Sequence, residues 1–225
     1  EQVIPKAATP SAAPPKSSPP PIAQQKPVAS GKPPVPAKPT LAFRGVADVG
    51  AVWMTASESF DAVAGTDMRV QYGGGLQVVN IWRRLYAEVA VGRSSLSGSR
   101  VFVYQGVVYD MGIPVSITLT PVDAGGGWRF PLGKRLHAYA GGGVTFMNYQ
   151  EESDSADPDD NVSEVFTGFY TSAGVEFRLA NWVHIRGEAR LTTIADALGG
   201  DGVSADFGET NLGGIGVAVK VAIGR

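Results

Sequence analysis

The chain contains no cysteine and only two histidines, His137 and His184. Disulfide frameworks, cysteine-bound zinc and thiol nucleophiles are thereby excluded, and so is a multi-histidine metal centre. Long hydrophobic runs are missing too: no apolar stretch reaches the roughly 18 residues that a transmembrane helix requires. Charged residues make up 18 % of the 225 residues, with a formal net charge of −2. Nor is there a basic excess on the part that can fold, which argues against nucleic acid as a partner.

Proline and glycine divide the chain at about residue 40. Residues 1–40 hold 12 of the 16 prolines, five Lys and one Glu, a charge of +4. Residues 41–225 hold 28 of the 29 glycines and carry −6. Runs such as Pro19-Pro20-Pro21 and Lys32-Pro33-Pro34-Val35-Pro36 remove backbone donors and bias their neighbours to extended geometry. With few large apolar residues, residues 1–40 predict a coreless, disordered tail, either a plain linker or a spacer and cationic tether to cell wall or to a partner. The sequence opens at Glu1 rather than Met, which predicts a processed N-terminus after removal of a secretory signal.

From Leu41 onward the dominant hydrophobic period is two, with turn signals between the runs. Eight segments follow: roughly 42–54, 69–82, 84–95, 113–130, 135–149, 165–179, 182–193 and 214–223. In the seventh, Val183, Ile185, Gly187, Ala189 and Leu191 oppose His184, Arg186, Glu188, Arg190 and Thr192. In the eighth, Ile215, Val217, Val219, Val221 and Ile223 oppose Gly214, Gly216, Ala218, Lys220 and Ala222. The fourth changes parity: Val115, Ile117 and Leu119 are odd, whereas Val122, Ala124, Trp128 and Phe130 are even. A bulge at Pro121 is expected there. Connections near 82–84, 131–135 and 180–182 are tight. Those near 55–68, 96–112, 150–164 and 195–211 are long and polar. Such alternation describes an all-β, eight-stranded antiparallel up-and-down transmembrane barrel with both ends on the short-turn side.

The charges set the faces. Fifteen of the twenty acids after residue 40 fall in the four long connections. The others, Asp48, Glu88, Asp123, Glu176 and Glu188, lie opposite their strands' aliphatic faces. So do Arg44, Arg69, Arg129, Arg178, Arg186, Arg190 and Lys220. In a membrane barrel these charges fill the lumen as an ion-pair network, and Val183, Ile185, Leu191, Ile215, Val217, Val219, Val221 and Ile223 meet lipid. Trp53, Trp82, Trp128, Phe130 and Trp182 gather near segment ends, as interfacial girdles require. A soluble ligand-binding β-barrel is the opposite orientation, with aliphatics inside.

Two stretches carry a resemblance: Thr120-Pro121-Val122-Asp123-Ala124-Gly125-Gly126-Gly127-Trp128-Arg129-Phe130 and Tyr139-Ala140-Gly141-Gly142-Gly143-Val144. Over residues 41–225 the chain resembles the small eight-stranded outer-membrane β-barrel proteins of diderm bacteria. The resemblance implies the bacterial outer membrane, with both termini periplasmic and the long loops extracellular. Such barrels commonly close on an aromatic residue read by the assembly machinery; this sequence closes on Ile223-Gly224-Arg225 and departs from that pattern.

An eight-stranded barrel is about wide enough inside for its own side chains. The expectation is therefore a charge-plugged structural barrel, with Lys220 paired to Asp48 or Glu88 and lumen glycines making room for long Arg and Glu side chains. It anchors in outer-membrane lipid and presents acidic loops, which reach lipopolysaccharide phosphates through divalent ions. The alternative is a narrow pore or transporter for small hydrophobic molecules, lined by Val115, Ile117 and Leu119. No Ser-His-acid spacing stands out, so no catalysis is expected, and no cofactor or metal. The acid-dense stretch 151–160 lacks EF-hand spacing and its central glycine, and reads as a solvated loop.

Overall fold

The computed structural model describes residues 40–154, 161–200 and 202–224. The tail expected over residues 1–40 lies outside them except for Thr40, as do Asp157, Asp159 and Asp160 of the acid-dense stretch and Asp201. Eight strands close into one antiparallel barrel in sequence order: β1 (Ala42–Met54), β2 (Met68–Val79), β3 (Leu85–Tyr104), β4 (Val107–Pro131), β5 (Leu136–Ser153), β6 (Val162–Ala180), β7 (Val183–Thr193) and β8 (Gly214–Gly224). β8 closes onto β1, with Asp48 opposite Lys220 and Val49 opposite Val219. Closure leaves no free sheet edge, so every strand finds its backbone partners within the ring.

The period of two becomes a strict inside–outside division. On β8, Ile215, Val217, Val219, Val221 and Ile223 point outward and are 38–60 % exposed, whereas Lys220 and Ala222 are buried inside. On β7, Ile185 and Leu191 are exposed, and His184, Arg186 and Glu188 are buried; Val183 is half-buried. The orientation of a soluble ligand-binding barrel, with aliphatics at the centre, is thereby overturned. Trp53, Trp82, Trp128, Phe130 and Trp182 all point outward and are at least 43 % exposed.

Several boundaries differ from those read in the sequence. The stretch 96–112 is not a polar loop: β3 and β4 run on as a hairpin to a two-residue turn at Gln105-Gly106, where both residues have positive φ (55° and 77°). That is the hairpin turn whose twist matches its strands, and Phe102 stacks on Tyr109 beyond it, ring centroids 5.1 Å apart. The alternation simply continues there. β5 and β6 likewise extend to Ser153 and back from Val162, which puts Glu151, Glu152 and Glu164 on strands, as the longer β4 does Asp110. β2 ends at Val79, so Trp82 belongs to the turn, where Asn80, Arg83 and Arg84 take positive φ.

Pro121 marks no bulge. Pairing of β4 with β5 runs without a shift from Val115↔Ser153 to Pro131↔His137, and Pro121 points inward, buried. Register shifts occur elsewhere, at Ser99/Val101 and Arg178/Ala180. From Val115 to Arg129 the odd residues of β4 face the lumen; what changes at Pro121 is the chemistry of the lumen, from apolar above to charged below.

The apolar part is a core inside the mouth of the barrel. Ile117 and Leu119 of β4, Met54, Ala56, Met147, Ile194 and Leu212 cluster with Phe60. Phe60 comes from α1 (Ser57–Ala64), which ends on a left-handed Gly65 whose N–H donates to the Asp61 carbonyl at 2.9 Å. A second, shorter helix, α2 (Gly202–Asp206), lies in the connection from β7 to β8. The two connections are tied by Glu209, whose carboxylate accepts from the N–H groups of Glu58 (3.1 Å) and Ser59 (2.9 Å) and from Ser59 Oγ (2.6 Å). It thus caps the first turn of α1, where the helix has donors without partners.

Candidate functional site

Beneath the apolar cluster the lumen is filled by charge, in layers that can be followed up β7 by its inward residues His184, Arg186, Glu188 and Arg190. The lowest layer centres on Glu176 of β6, 1 % exposed. Arg44 of β1 donates from Nη1 to both its carboxylate oxygens, at 3.2 and 3.1 Å, and Arg129 of β4 donates from Nη2 to Oε1. His184 Nδ1 lies 3.1 Å from Oε1, close but off the line of a hydrogen bond. Two guanidiniums on one buried carboxylate offset its desolvation, which an unpaired carboxylate there would not withstand.

The middle layer joins five strands. Glu88 of β3 accepts from Arg186 Nη1 (2.9 Å), Lys220 Nζ (3.2 Å) and Gln77 Nε2 (2.8 Å). Glu188 lies 2.9 Å from Lys220 Nζ and accepts from Tyr139 Oη at 3.0 Å. The Arg186 guanidinium sits over the Tyr139 ring, 4.2 Å from Cζ to centroid, and Tyr139 meets Tyr86 edge to face at 6.1 Å. Close packing here depends on glycine. A Cβ on Gly141 would come within 2.5 Å of Tyr86 Oη, and one on Gly174 within 2.5 Å of Tyr139 Oη. These lumen glycines therefore admit tyrosine rings, where Arg and Glu side chains were the expectation. Above, Arg190 holds Asp123 through both amino groups.

Lys220, expected to pair with Asp48 or Glu88, is the register partner of Asp48 across β1 and β8, and its ammonium reaches Glu88 and, beyond that, Glu188. Two predicted members of the network stand differently. Arg178, next to the β6–β7 turn, is only half-buried and donates from Nη2 to the Lys134 carbonyl at 2.8 Å, outside the ion pairs. Arg69, directly under the apolar cluster, meets a thioether and a hydroxyl instead of a carboxylate: Nε donates to Met54 Sδ at 3.1 Å and Nη1 to Ser94 Oγ. Cavities in the lumen are small. One of about 10 Å³ lies among Glu88, Asp123, Glu188 and Lys220, and one of about 30 Å³ lies between the charges and the apolar cluster.

Residues 34–220 match the outer membrane protein β-barrel domain family. The chain belongs to that family. As an outer-membrane barrel it has solved structural relatives at low identity. Neisserial surface protein A aligns with a TM-score of 0.53 at 10 % identity, covering 82 % of this chain and 99 % of that one. Ail, the attachment invasion locus protein of Yersinia pestis, solved with the heparin analogue sucrose octasulfate, aligns at 0.49 and 8 % identity, covering 82 % and 98 %. The N-terminal β-barrel domain of Pseudomonas aeruginosa OprF aligns at 0.42 and 14 % identity, covering 82 % and 97 %. A comparison with curated proteins finds no match.

For an outer-membrane barrel, outward aliphatics and an inward polar face are the arrangement that lipid demands. Two parts of the lumen escaped the sequence reading. The apolar cluster was one, although Phe60 and Val63, three residues apart in a connection read as polar, carry a helical signal. Ser94 and Met54, the partners of Arg69, were the other, and nothing short of the register brings them together.

Proposed function

We propose that this outer-membrane barrel is a closed structural element of the envelope: it anchors in lipid through Val183, Ile185, Leu191, Ile215, Val217, Val219, Val221 and Ile223, and its lumen is shut. The observation that carries the reading is the double closure of the interior, Glu176 and Glu88 clamped by cations from several strands and, above them, Phe60, Leu119 and Leu212 packed into one apolar cluster. Small cavities are consistent with that. The role is one of anchoring and surface presentation, not turnover. In the same reading both chain ends and the short turns are periplasmic, and residues 1–40 are a tether to the cell wall or a periplasmic partner. The connections carrying α1, α2 and the acid-dense stretch are then extracellular, where their acids bridge through divalent ions to lipopolysaccharide phosphates.

Single-channel recording in planar bilayers tests the closure. A shut barrel gives almost no conductance, and steady open-channel current from the folded protein refutes it. The competing reading, a narrow path for small hydrophobic molecules past Val115, Ile117 and Leu119, is disfavoured by the packing of Ile117 and Leu119 against Phe60 and Met147, which leaves Leu119 with no exposed surface. Protease cleavage within 151–160 on intact cells, with residues 1–40 protected, tests the orientation; the reverse pattern overturns it.

A further inference from the structure

Arg69 is 4 % exposed and, among the described residues, forms no ion pair. A guanidinium so placed carries a large desolvation cost, which burial without a counter-charge leaves uncompensated. With Nε on Met54 Sδ and Nη1 on Ser94 Oγ, its remaining amino group, Nη2, is left for the cavity of about 30 Å³ that Arg69 lines. The charge that acts on it is that of Arg190, of the same sign and already balanced by Asp123.

The other walls point to the same deficit. Thr145 lines the cavity with a wholly buried side chain, and its hydroxyl has no hydrogen-bond partner among the described residues. Gln71, Thr192 and the Asp123-bound Arg190 line it as well, and the rest is apolar or glycine, with Met147 and Leu212 of the apolar cluster as the roof. Below that roof, inward carboxylates number five (Asp48, Glu88, Asp123, Glu176, Glu188). Five buried or part-buried inward cations stand against them (Arg44, Arg129, Arg186, Arg190, Lys220), a sixth, Arg178, lying half-buried at the β6–β7 turn on the Lys134 carbonyl, so that Arg69 is a buried positive charge in excess.

We infer that the cavity between Arg69, Thr145 and Gln71 binds one small monovalent anion of the halide class, chloride in the cell. Arg69 Nη2 supplies the charge and a donor, the Thr145 hydroxyl a second donor, and the Gln71 amide a third. Its volume, room for one or two water-sized particles, fits a halide better than the bulkier phosphate or sulfate. A bound anion balances the lumen and holds Arg69 under the apolar roof, so occupancy and barrel stability are linked.

The test uses the full chain refolded in detergent micelles, with urea midpoints measured against bromide concentration at constant ionic strength, gluconate replacing bromide. The wild type is expected to show a saturating rise in midpoint. Arg69→Gln and Thr145→Val are expected to lose it, keeping only the general salt response. Thr145→Val keeps the guanidinium in place and reads the site even where Arg69→Gln fails to fold. Crystals in bromide are expected to show an anomalous peak between Arg69 and Thr145. An unsaturating response in the wild type, or the same response in wild type and Thr145→Val, overturns the inference. Conductance through the barrel, which would refute the closed-lumen reading, leaves this readout unaffected.

Discussion

Arg190 grips Asp123 with both amino groups, Nη1 to Oδ2 at 2.6 Å and Nη2 to Oδ1 at 2.8 Å, while its guanidinium lies over the Tyr170 ring, 3.9 Å from the centroid. Strands β4 and β7 are thus joined across the lumen by a planar, two-point contact of the kind only arginine makes. Removing one partner strands the other in the interior. Asp123→Asn is expected to cost about 3 kcal/mol, read as a lower urea midpoint in micelles. The double variant Asp123→Leu with Arg190→Met is expected to recover most of the loss, because the desolvation of both ions disappears with their attraction. Equal loss in single and double variants would contradict this account of the pair.

Glu176 is the more demanding case, since two arginines converge on it. Glu176→Gln keeps the shape and removes the charge, leaving Arg44 and Arg129 side by side without a counter-ion. The expected loss is about 3–5 kcal/mol, at the upper end for a broken buried pair. Arg44→Met in the same background is expected to restore part of it by relieving the repulsion. Urea midpoints of the three proteins in micelles check the order.

How far the chain announces this architecture depends on what a period of two encodes. It encodes sides. His184, Arg186, Glu188 and Arg190 fall on one side of β7 by alternation alone, and the number and order of strands follow from the turns. It does not encode height or register, so it says nothing of Arg69 meeting Met54 and Ser94, and it leaves Lys220 between Asp48 and Glu88 without choosing. Pro121 shows a subtler failure. Against a polar inside, an apolar inward run (Val115, Ile117, Leu119) looks like a strand turned over at a bulge, and only as the lining of a narrow path does it read as inward. The barrel instead changes solvent along its own axis.

Glu209 makes the mouth of the barrel one unit, because its carboxylate caps α1 from the opposite connection. An acidic group at a helix N-terminus gains from both the free N–H donors and the helix dipole. Glu209→Ala is expected to cost about 1 kcal/mol and, more tellingly, to speed amide hydrogen exchange over Ser57–Ala64 while the strands keep their protection. Unchanged exchange in α1 would mean that Phe60 alone holds the helix down.

Phe60 itself anchors α1 in the apolar cluster with Leu119, Met147, Ile194 and Leu212, and is 4 % exposed. Phe60→Ala is expected to cost about 3–5 kcal/mol through lost burial and the cavity left behind. Conductance discriminates between the two closures: with the ion pairs around Glu88 and Glu176 intact, the variant is expected to stay shut. A pore opened by Phe60→Ala would place the gate in the apolar cluster.

The sharpest test of the orientation is Val217. It is 48 % exposed, the fourth of the eleven residues of β8, between Ala51 of β1 and Ala189 of β7. On the surface of a water-soluble barrel, an arginine at such a site changes stability by about 0.5 kcal/mol or less, since nothing is desolvated. In the bilayer midplane it costs about 2–4 kcal/mol. Val217→Arg refolded into lipid vesicles, followed by heat-modifiable gel mobility, is expected to show the larger loss. The same substitution at Trp82, in the turn beyond β2, is expected to lose much less, because the penalty falls toward the interface. Equal, small losses at both positions would contradict a lipid contact for Val217, whereas a steep difference between them measures how deep Val217 lies.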